Sequence, residues 1–425
     1  MNGQTIFALA SGRPPAAICV IRISGGGAHA AGEALAGILP QPRQAALRLL
    51  RYPRSAEVLD EALVLRFDGP ASATGEDVVE LHCHGGRAVT DAVLGALSTL
   101  DGLRLAQPGE FTRRAFENGR IDLTEAEGLA DLIEAETEAQ RKAALAVAEG
   151  GLRRKVETWR EALVMLSARA EAAIDYADED EVEGDDTIAR DCETLAMELG
   201  DWLERPRVEP LKEGVRVVAA GPPNTGKSSL INALVGEDKA IVTDVPGTTR
   251  DLIEVPVSVK GIPLLLVDTA GIHDTHERVE RIGVERAKAA TRGADILLWL
   301  GEPSDAPPHP RLIVIQSKAD LGVGALEGAL RVSSVSGQGI AALLTAVLEQ
   351  ARELIPRPDA MALNRRQWTE IAEATDRLRQ AASARDLPIA ADQLRLARAA
   401  FDRLTGMAGV EDVLDVLFGR FCLGK

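Results

Sequence analysis

Apolar and polar positions change pattern several times along the chain. Up to residue 118, short β-rich runs alternate with helical stretches. Ala17-Ile18-Cys19-Val20-Ile21-Arg22-Ile23 reads as a strand closed by Ser24-Gly25-Gly26-Gly27. Val78 to His84 reads as another, stopped by Gly85-Gly86 before a helix over about Ala88 to Leu100. After Gly119 the texture becomes helical. Thr124-Glu125-Ala126-Glu127 has capping-box spacing, with Thr124 expected to accept from the Glu127 amide. Leu129, Leu132, Ile133 and Leu145 continue at helical spacing, and the texture lasts to about Leu203, before Pro206 and Pro210. From Val215 the pattern is short apolar runs between polar helices: 215–220, 264–267, 296–300 and 312–315. Such alternation predicts a mostly parallel sheet covered by helices on both faces. After Pro356 helices return, and Val410, Val413, Leu414, Leu417, Phe418 and Phe421 form an amphipathic stripe. The two helical stretches read as one domain split by an insertion.

A chain of 425 residues with 46% hydrophobic content implies two or three packed domains. Aromatics make up only 3%, so the cores must rest on aliphatic side chains. No apolar run is long enough for a membrane span, and no basic region precedes the short apolar run at the N-terminus, so neither a membrane anchor nor a secretory signal is expected. Cys19, Cys83, Cys192 and Cys422 are too dispersed for a disulfide framework or a zinc site, which suits a reducing cytoplasm. A formal net charge of −17 means that any nucleic-acid role needs a local basic patch or a partner that supplies charge. Asp175 to Asp186 holds much of the excess and reads as a solvated loop between helices.

The strongest chemical signal is Gly221-Pro222-Pro223-Asn224-Thr225-Gly226-Lys227-Ser228, a G-x-x-x-x-G-K-[ST] phosphate loop between a strand and a helix. Its glycines let backbone amides turn toward phosphate oxygens at the positive end of the helix. Lys227 would neutralise the β and γ phosphates, and Ser228 would ligate magnesium. Asp268-Thr269-Ala270-Gly271 follows a strand, as a metal-side Asp and a γ-phosphate-sensing Gly should. Ser317-Lys318-Ala319-Asp320 resembles the Asn-Lys-x-Asp guanine loop, where the Asp accepts from base donors that adenine lacks. Ser317 stands where Asn is usual, and the change is expected to remove an amide that ties this loop to the phosphate loop, weakening nucleotide affinity. Ser333-Ser334-Val335 resembles the second guanine loop. Thr243, Asp244, Val245, Pro246, Gly247, Thr248 and Thr249 occupy the first switch, with Thr249 as a second magnesium ligand. GTP contacts are thus expected from Asn224, Thr225, Gly226, Lys227, Ser228, Ser229 and these downstream segments. Ile272 occupies the position where Ras-type enzymes carry a water-orienting Gln, so hydrolysis needs another group.

Three further blocks resemble the MnmE (TrmE) family of tRNA-modification GTPases. They are Thr74-Gly75-Glu76-Asp77-Val78-Val79-Glu80-Leu81 with His84-Gly85-Gly86, the run from Pro108 to Leu123, and Phe421-Cys422-Leu423-Gly424-Lys425. The resemblance implies an α/β multidomain fold: an N-terminal α+β folate-binding and dimerisation domain (1–118), a long-helix domain in two parts (119–210 and 357–425), and an inserted Ras-like P-loop GTPase domain (211–356). It implies a homodimer holding 5-formyl- or methylene-tetrahydrofolate between Arg22, Glu80, Arg120 and Lys425, with Cys422 nearby. A flavin-dependent partner, MnmG, and tRNA complete the implied assembly, which adds an aminomethyl-type group to carbon 5 of the wobble uridine. It also implies K+ held by Asn224, Thr243, Val245 and Thr248, and a water positioned by Glu280, directly or through a second water. His82 and His84 share a strand face, yet no further ligands in the sequence suggest a metal there.

Overall fold

The computed structural model describes residues 3–175, 185–236, 240–242, 253–269, 290–322, 324, 326–357, 361–409, 411–421 and 424. They fall into two compact units. The first comprises Met1–Ala130, Ala148–Lys155 and Asp402–Lys425, and the second Asp131–Val147 and Val156–Phe401.

The first unit is built on a six-stranded sheet of β1 (Thr5–Leu9), β2 (Ile18–Ser24), β3 (Ala45–Arg51), β4 (Val58–Phe67), β5 (Val78–His84) and β6 (Leu103–Leu105), in the order β3-β4-β5-β2-β1-β6. Only the β1–β6 pair is parallel. Strand side chains alternate between faces, and the register of β2 against β5 sorts them. Cys19↔Cys83, Ile21↔Leu81 and Ile23↔Val79 point into the core, under helices Ala28–Ala36 and Arg87–Ser98. Val20↔His82 and Arg22↔Glu80 lie on the opposite face. Two of the cysteines dispersed in sequence are therefore neighbours in space. Both are free and buried, and burial pushes the Cys83 thiol well above its ordinary range, which makes it unreactive.

The helix expected after Thr124 begins one residue before it, at Leu123, and runs to Glu134. Asp122, not Thr124, caps it. Asp122 Oδ1 accepts from the Glu125 amide at 2.8 Å, and Glu125 Oε2 accepts from the Asp122 amide at 2.8 Å. The Thr124 hydroxyl donates to Asp122 Oδ1 rather than capping the helix itself. Leu123, Ala126 and Ala130 pack against Leu414, Phe418 and Phe421, the expected C-terminal stripe, on helix Glu411–Arg420 and just beyond it. Gly424 packs so closely on the Leu9 carbonyl that any Cβ would collide with it, and its φ of +94° also favours glycine.

The second unit contains a seven-stranded sheet of β7 (Val215–Ala220), β8 (Ala240–Val242), β9 (Ile253–Val259), β10 (Ile262–Asp268), β11 (Ile296–Trp299), β12 (Leu312–Gln316) and β13 (Leu330–Arg331). Its order is β13-β12-β11-β7-β10-β9-β8. The five strands from β13 to β10 are parallel, while β9 and β8 run antiparallel at one edge. The parallel strands read as unbroken apolar runs because both faces are buried. Val217, Leu264, Leu298 and Ile315 face helices Lys227–Val235 and Ile340–Leu354, while Val218, Val267 and Leu297 form the core on the other face. In the same unit, helices Asp185–Leu203 and Arg365–Ala382 pack together. Trp159 stands edge-on to Trp202 at 5.3 Å and stacks on Phe401 at 6.3 Å. The acidic stretch after Asp175 lies largely outside the described residues.

Candidate functional site

β7 is the topological switch point of the seven-stranded sheet, flanked by β10 on one side and β11 on the other, and the phosphate loop leaves its carboxyl end. Gly221 turns the chain there with φ +147°, where a Cβ would sit 2.7 Å from the Leu300 carbonyl oxygen. Asn224 (φ +61°) and Gly226 (φ +90°) complete the cradle before helix Lys227–Val235. Lys227 is buried, and its ammonium donates to the Gly221 and Pro222 carbonyls at 3.0 and 2.9 Å. Burial pushes the Lys227 pKa down, and Asp268 works against that shift. Ser228 and Ser229 are exposed at the start of the helix. Asp268 ends β10 opposite Ala219, and the neighbouring Thr269 hydroxyl pins this end by donating to the Ala219 carbonyl at 2.7 Å.

The loop expected to read guanine follows β12. Ser317 Oγ donates to the Thr225 carbonyl at 2.7 Å, so the hydroxyl supplies the tie whose loss the sequence had suggested. Lys318, in a left-handed conformation (φ +58°), reaches across to the Asn224 carbonyl at 3.1 Å. The Ala319 amide donates to the Val332 carbonyl at 3.0 Å. Asp320 is exposed, and among the described residues its carboxylate accepts no hydrogen bond, which leaves both oxygens free for a base. Ser333 is buried and closes its turn by accepting from the Val335 and Ser336 amides, leaving Ser334 and Val335 exposed. Sequence reasoning missed Gln316. Its side chain donates to the Gly324 carbonyl at 2.6 Å and accepts from the Leu326 amide at 3.0 Å, holding the far arm of the guanine loop. A lone polar residue directly after the apolar run Leu312-Ile313-Val314-Ile315 was the available signal. Thr243 to Thr249, Ala270, Gly271, Ile272 and Glu280 lie outside the described residues.

On the first unit, Arg22 Nε donates to Glu80 Oε1 at 2.9 Å, and the guanidinium lies 5.6 Å from the centroid of the Phe111 ring. His82 Nε2 faces the other Glu80 oxygen at 3.3 Å, and His84 pairs with Asp60. These two histidines join no metal-ligand cluster among the described residues. Arg120 is exposed in the turn after helix Glu110–Glu117, its stem beside Gly75, and among the described residues it forms no ion pair with Glu80. Cys422 and Lys425 lie outside the described residues, but Gly424 holds the tail at the end of β1, the strand beside β2. Arg114, within the Pro108–Leu123 block, is the hub of this region. It is buried and donates to both Glu76 oxygens (3.2 and 2.9 Å), to the Gln4 carbonyl (2.9 Å) and to Glu110 (3.2 Å). Burial alone would raise the Glu110 carboxyl, yet hydrogen bonds from Arg104 and the Gln107 amide bring it below the usual range. The Asn118 amide donates to the Thr74 carbonyl at 2.8 Å, and Thr74 shares a 2.7 Å contact with Ser24. Much of the signature therefore positions the loop before β5.

Comparison with known proteins decides the family. Residues 5–120 match the family described as GTP-binding protein TrmE N-terminus, and residues 123–422 match the MnmE helical domain. The chain belongs to the MnmE (TrmE) family. The tRNA modification GTPase MnmE of Novosphingobium aromaticivorans is 54% identical, with 99% of this chain and 100% of that protein covered. The protein of the same name from Erythrobacter litoralis is 55% identical at the same coverage. Among solved structures, the G domain of the T. maritima FeoB iron transporter is 25% identical over 32% of this chain and 98% of that one, with a TM-score of 0.24. This MnmE-family chain is a GTP hydrolase with a P-loop GTPase fold. Removing the hydroxyl tie in Ser317→Ala should weaken GDP binding by about three- to tenfold, the worth of one hydrogen bond. Ser317→Asn should restore it. Fluorescent-GDP titration checks this, and an Ala variant that binds like wild type would show that the tie contributes nothing.

Proposed function

We propose that this GTPase drives modification of the tRNA wobble uridine at carbon 5, with an MnmG-type flavoprotein and a tetrahydrofolate one-carbon donor. The observation that carries the reading is the pairing of Arg22 with Glu80 on a sheet face left open beside it. Glu80 offers acceptor oxygens suited to the N–H edge of a pterin, and Arg22 and Arg120 offer cations suited to folate carboxylates. The fit is chemical: a fixed ion pair, half-buried, beside the aromatic face of Phe111. Bound folate would supply the one-carbon unit. The chain's residues would hold the donor and exclude water, with Lys425 and Cys422 brought near by the tail. Exposed Leu47, Leu49 and Leu63 on neighbouring β3 and β4 support a homodimer through this domain, residues 1–118. The family's tRNA role supports a cytoplasmic location.

At the nucleotide, Lys227 would neutralise phosphate charge, and Ser228 with Thr249 would hold Mg2+. Asn224 is exposed, and among the described residues its side chain makes no hydrogen bond, so its amide oxygen suits a monovalent cation. K+ there, with carbonyl donors from Thr243 and Val245 and a further ligand from Thr248, would stabilise charge developing on the phosphates. Glu280 would orient the water that Ile272 cannot. Dimerisation of the GTPase domains would accompany ordering of the first switch.

Nucleoside analysis of tRNA tests the main reading. A deletion strain should lack the wobble modification, and the wild-type chain should restore it. Glu80→Gln should restore little while retaining GTP hydrolysis. Full restoration by Glu80→Gln would remove Glu80 from the donor site. Single-turnover hydrolysis tests the cation: the rate should be higher in K+ than in Na+, and Asn224→Ala should abolish that difference. Glu280→Ala should slow turnover by roughly 10²–10⁴-fold in either salt. Equal wild-type rates in the two salts would remove K+ from the scheme.

A further inference from the structure

An acidic chain that serves tRNA needs a local surface where phosphates are welcome. One lies where the polypeptide enters and leaves the seven-stranded sheet region. A cleft of about 520 Å³ is lined there by Arg205, Arg207 and Arg365, together with Glu204, Glu209 and Glu353. Arg205 lies over the Trp202 ring, 4.0 Å from its centroid, and Arg207 lies over Trp368 at 4.5 Å. Trp368 is itself fixed, its indole N–H donating to the Leu203 carbonyl at 3.1 Å. The Val208 amide donates to the Leu363 carbonyl at 3.2 Å and ties the two crossing segments together. Among the described residues, none of the three guanidinium groups forms an ion pair. Of the wall carboxylates, Glu209 accepts from the Arg365 amide through one oxygen while its other oxygen is buried without a hydrogen bond, and Glu353 lies 3.8 Å from Arg311.

A guanidinium held over an indole keeps N–H groups available to an anion. It is already ordered, so less rotamer freedom is lost when those groups meet an anion. Such groups match phosphate oxygens in bidentate fashion. The cleft is larger than a single ion requires and suits a nucleotide unit. The geometry points to an RNA phosphate-backbone site in this cleft, held by Arg205, Arg207 and Arg365. The inference rests on the tRNA reading above and adds to it the place where this chain meets the RNA.

The test is fluorescence anisotropy of a labelled anticodon stem–loop RNA with the full chain, titrated at several KCl concentrations. Arg205→Gln/Arg207→Gln/Arg365→Gln should raise Kd at least about tenfold and reduce the slope of log Kd against log salt by about 2, as expected when phosphate contacts are lost. The matching triple Lys variant keeps the charges, so it should restore most of the salt slope but only part of the affinity, because an ammonium cannot make the bidentate contact. The thermal midpoint of each variant reports folding. An unchanged Kd and salt slope in a folded Gln variant overturns the inference, as does a wild-type chain that binds no RNA. Displacement of the RNA by polyglutamate at equal charge would assign the cleft to an acidic protein and likewise overturn it. Wobble-uridine analysis in the complemented deletion strain reports on the tRNA reading separately, so either can fail alone.

Discussion

The nucleotide site depends on two hydrogen bonds that join loops from separate strands. Ser317 binds the Thr225 carbonyl and Lys318 binds the Asn224 carbonyl, so the loop after β12 is locked to the loop after β7. Neither loop has a side-chain core of its own. Each hangs from the carboxyl end of a buried parallel strand, and the ties make the two into one frame. The two loops are then held at a fixed separation, which would limit the ordering that binding a nucleotide requires. Gly221 lets this frame sit tight against β11's end, and Gln316 and Ser333 stiffen the base side from below.

The first unit uses charge differently. Arg114, Glu76, Glu110 and Arg104 form a buried or half-buried network that holds the loop before β5 against helix Glu110–Glu117. Removing one partner from such a network leaves a charge uncompensated, so its members constrain the loop's shape strongly. Arg22 and Glu80 stand apart from it on the open sheet face, where an ion pair remains reachable by a ligand. Motif residues thus divide between those that build the scaffold and those that face outward.

Much of this was legible in sequence where the chemistry is local. The phosphate loop is contiguous, so its spacing carried its meaning. The parallel strands were legible because burial on both faces leaves unbroken apolar runs. β9 was passed over: Ile253 to Val259 alternates and contains Pro256, as an antiparallel strand near a sheet edge can. The cap was misplaced because Asp122/Glu125 and Thr124/Glu127 have the same spacing. Complete burial of Leu123 and Thr124 accompanies the earlier box, and no local rule reports that. The tie that Ser317 supplies was not legible for a similar reason, since whether a hydroxyl can replace an amide depends on where the Thr225 carbonyl sits. The pairing of Arg22 with Glu80 needed the register of β2 against β5, which no short motif encodes.

The claim that the frame presents Asp320 to guanine is tested most directly by the nucleotide preference of Asp320→Asn. The wild-type carboxylate should accept two base N–H donors, and losing that match should weaken GTP binding by about 2–4 kcal/mol, as unpaired buried polar groups do. Affinity for xanthosine triphosphate should rise at the same time, because the new amide pairs with the base oxygen that replaces the amino group. Competitive titration of both nucleotides against wild type and variant gives the answer. A reversal of preference in the variant is the predicted result, and a variant that still strongly prefers GTP would contradict it.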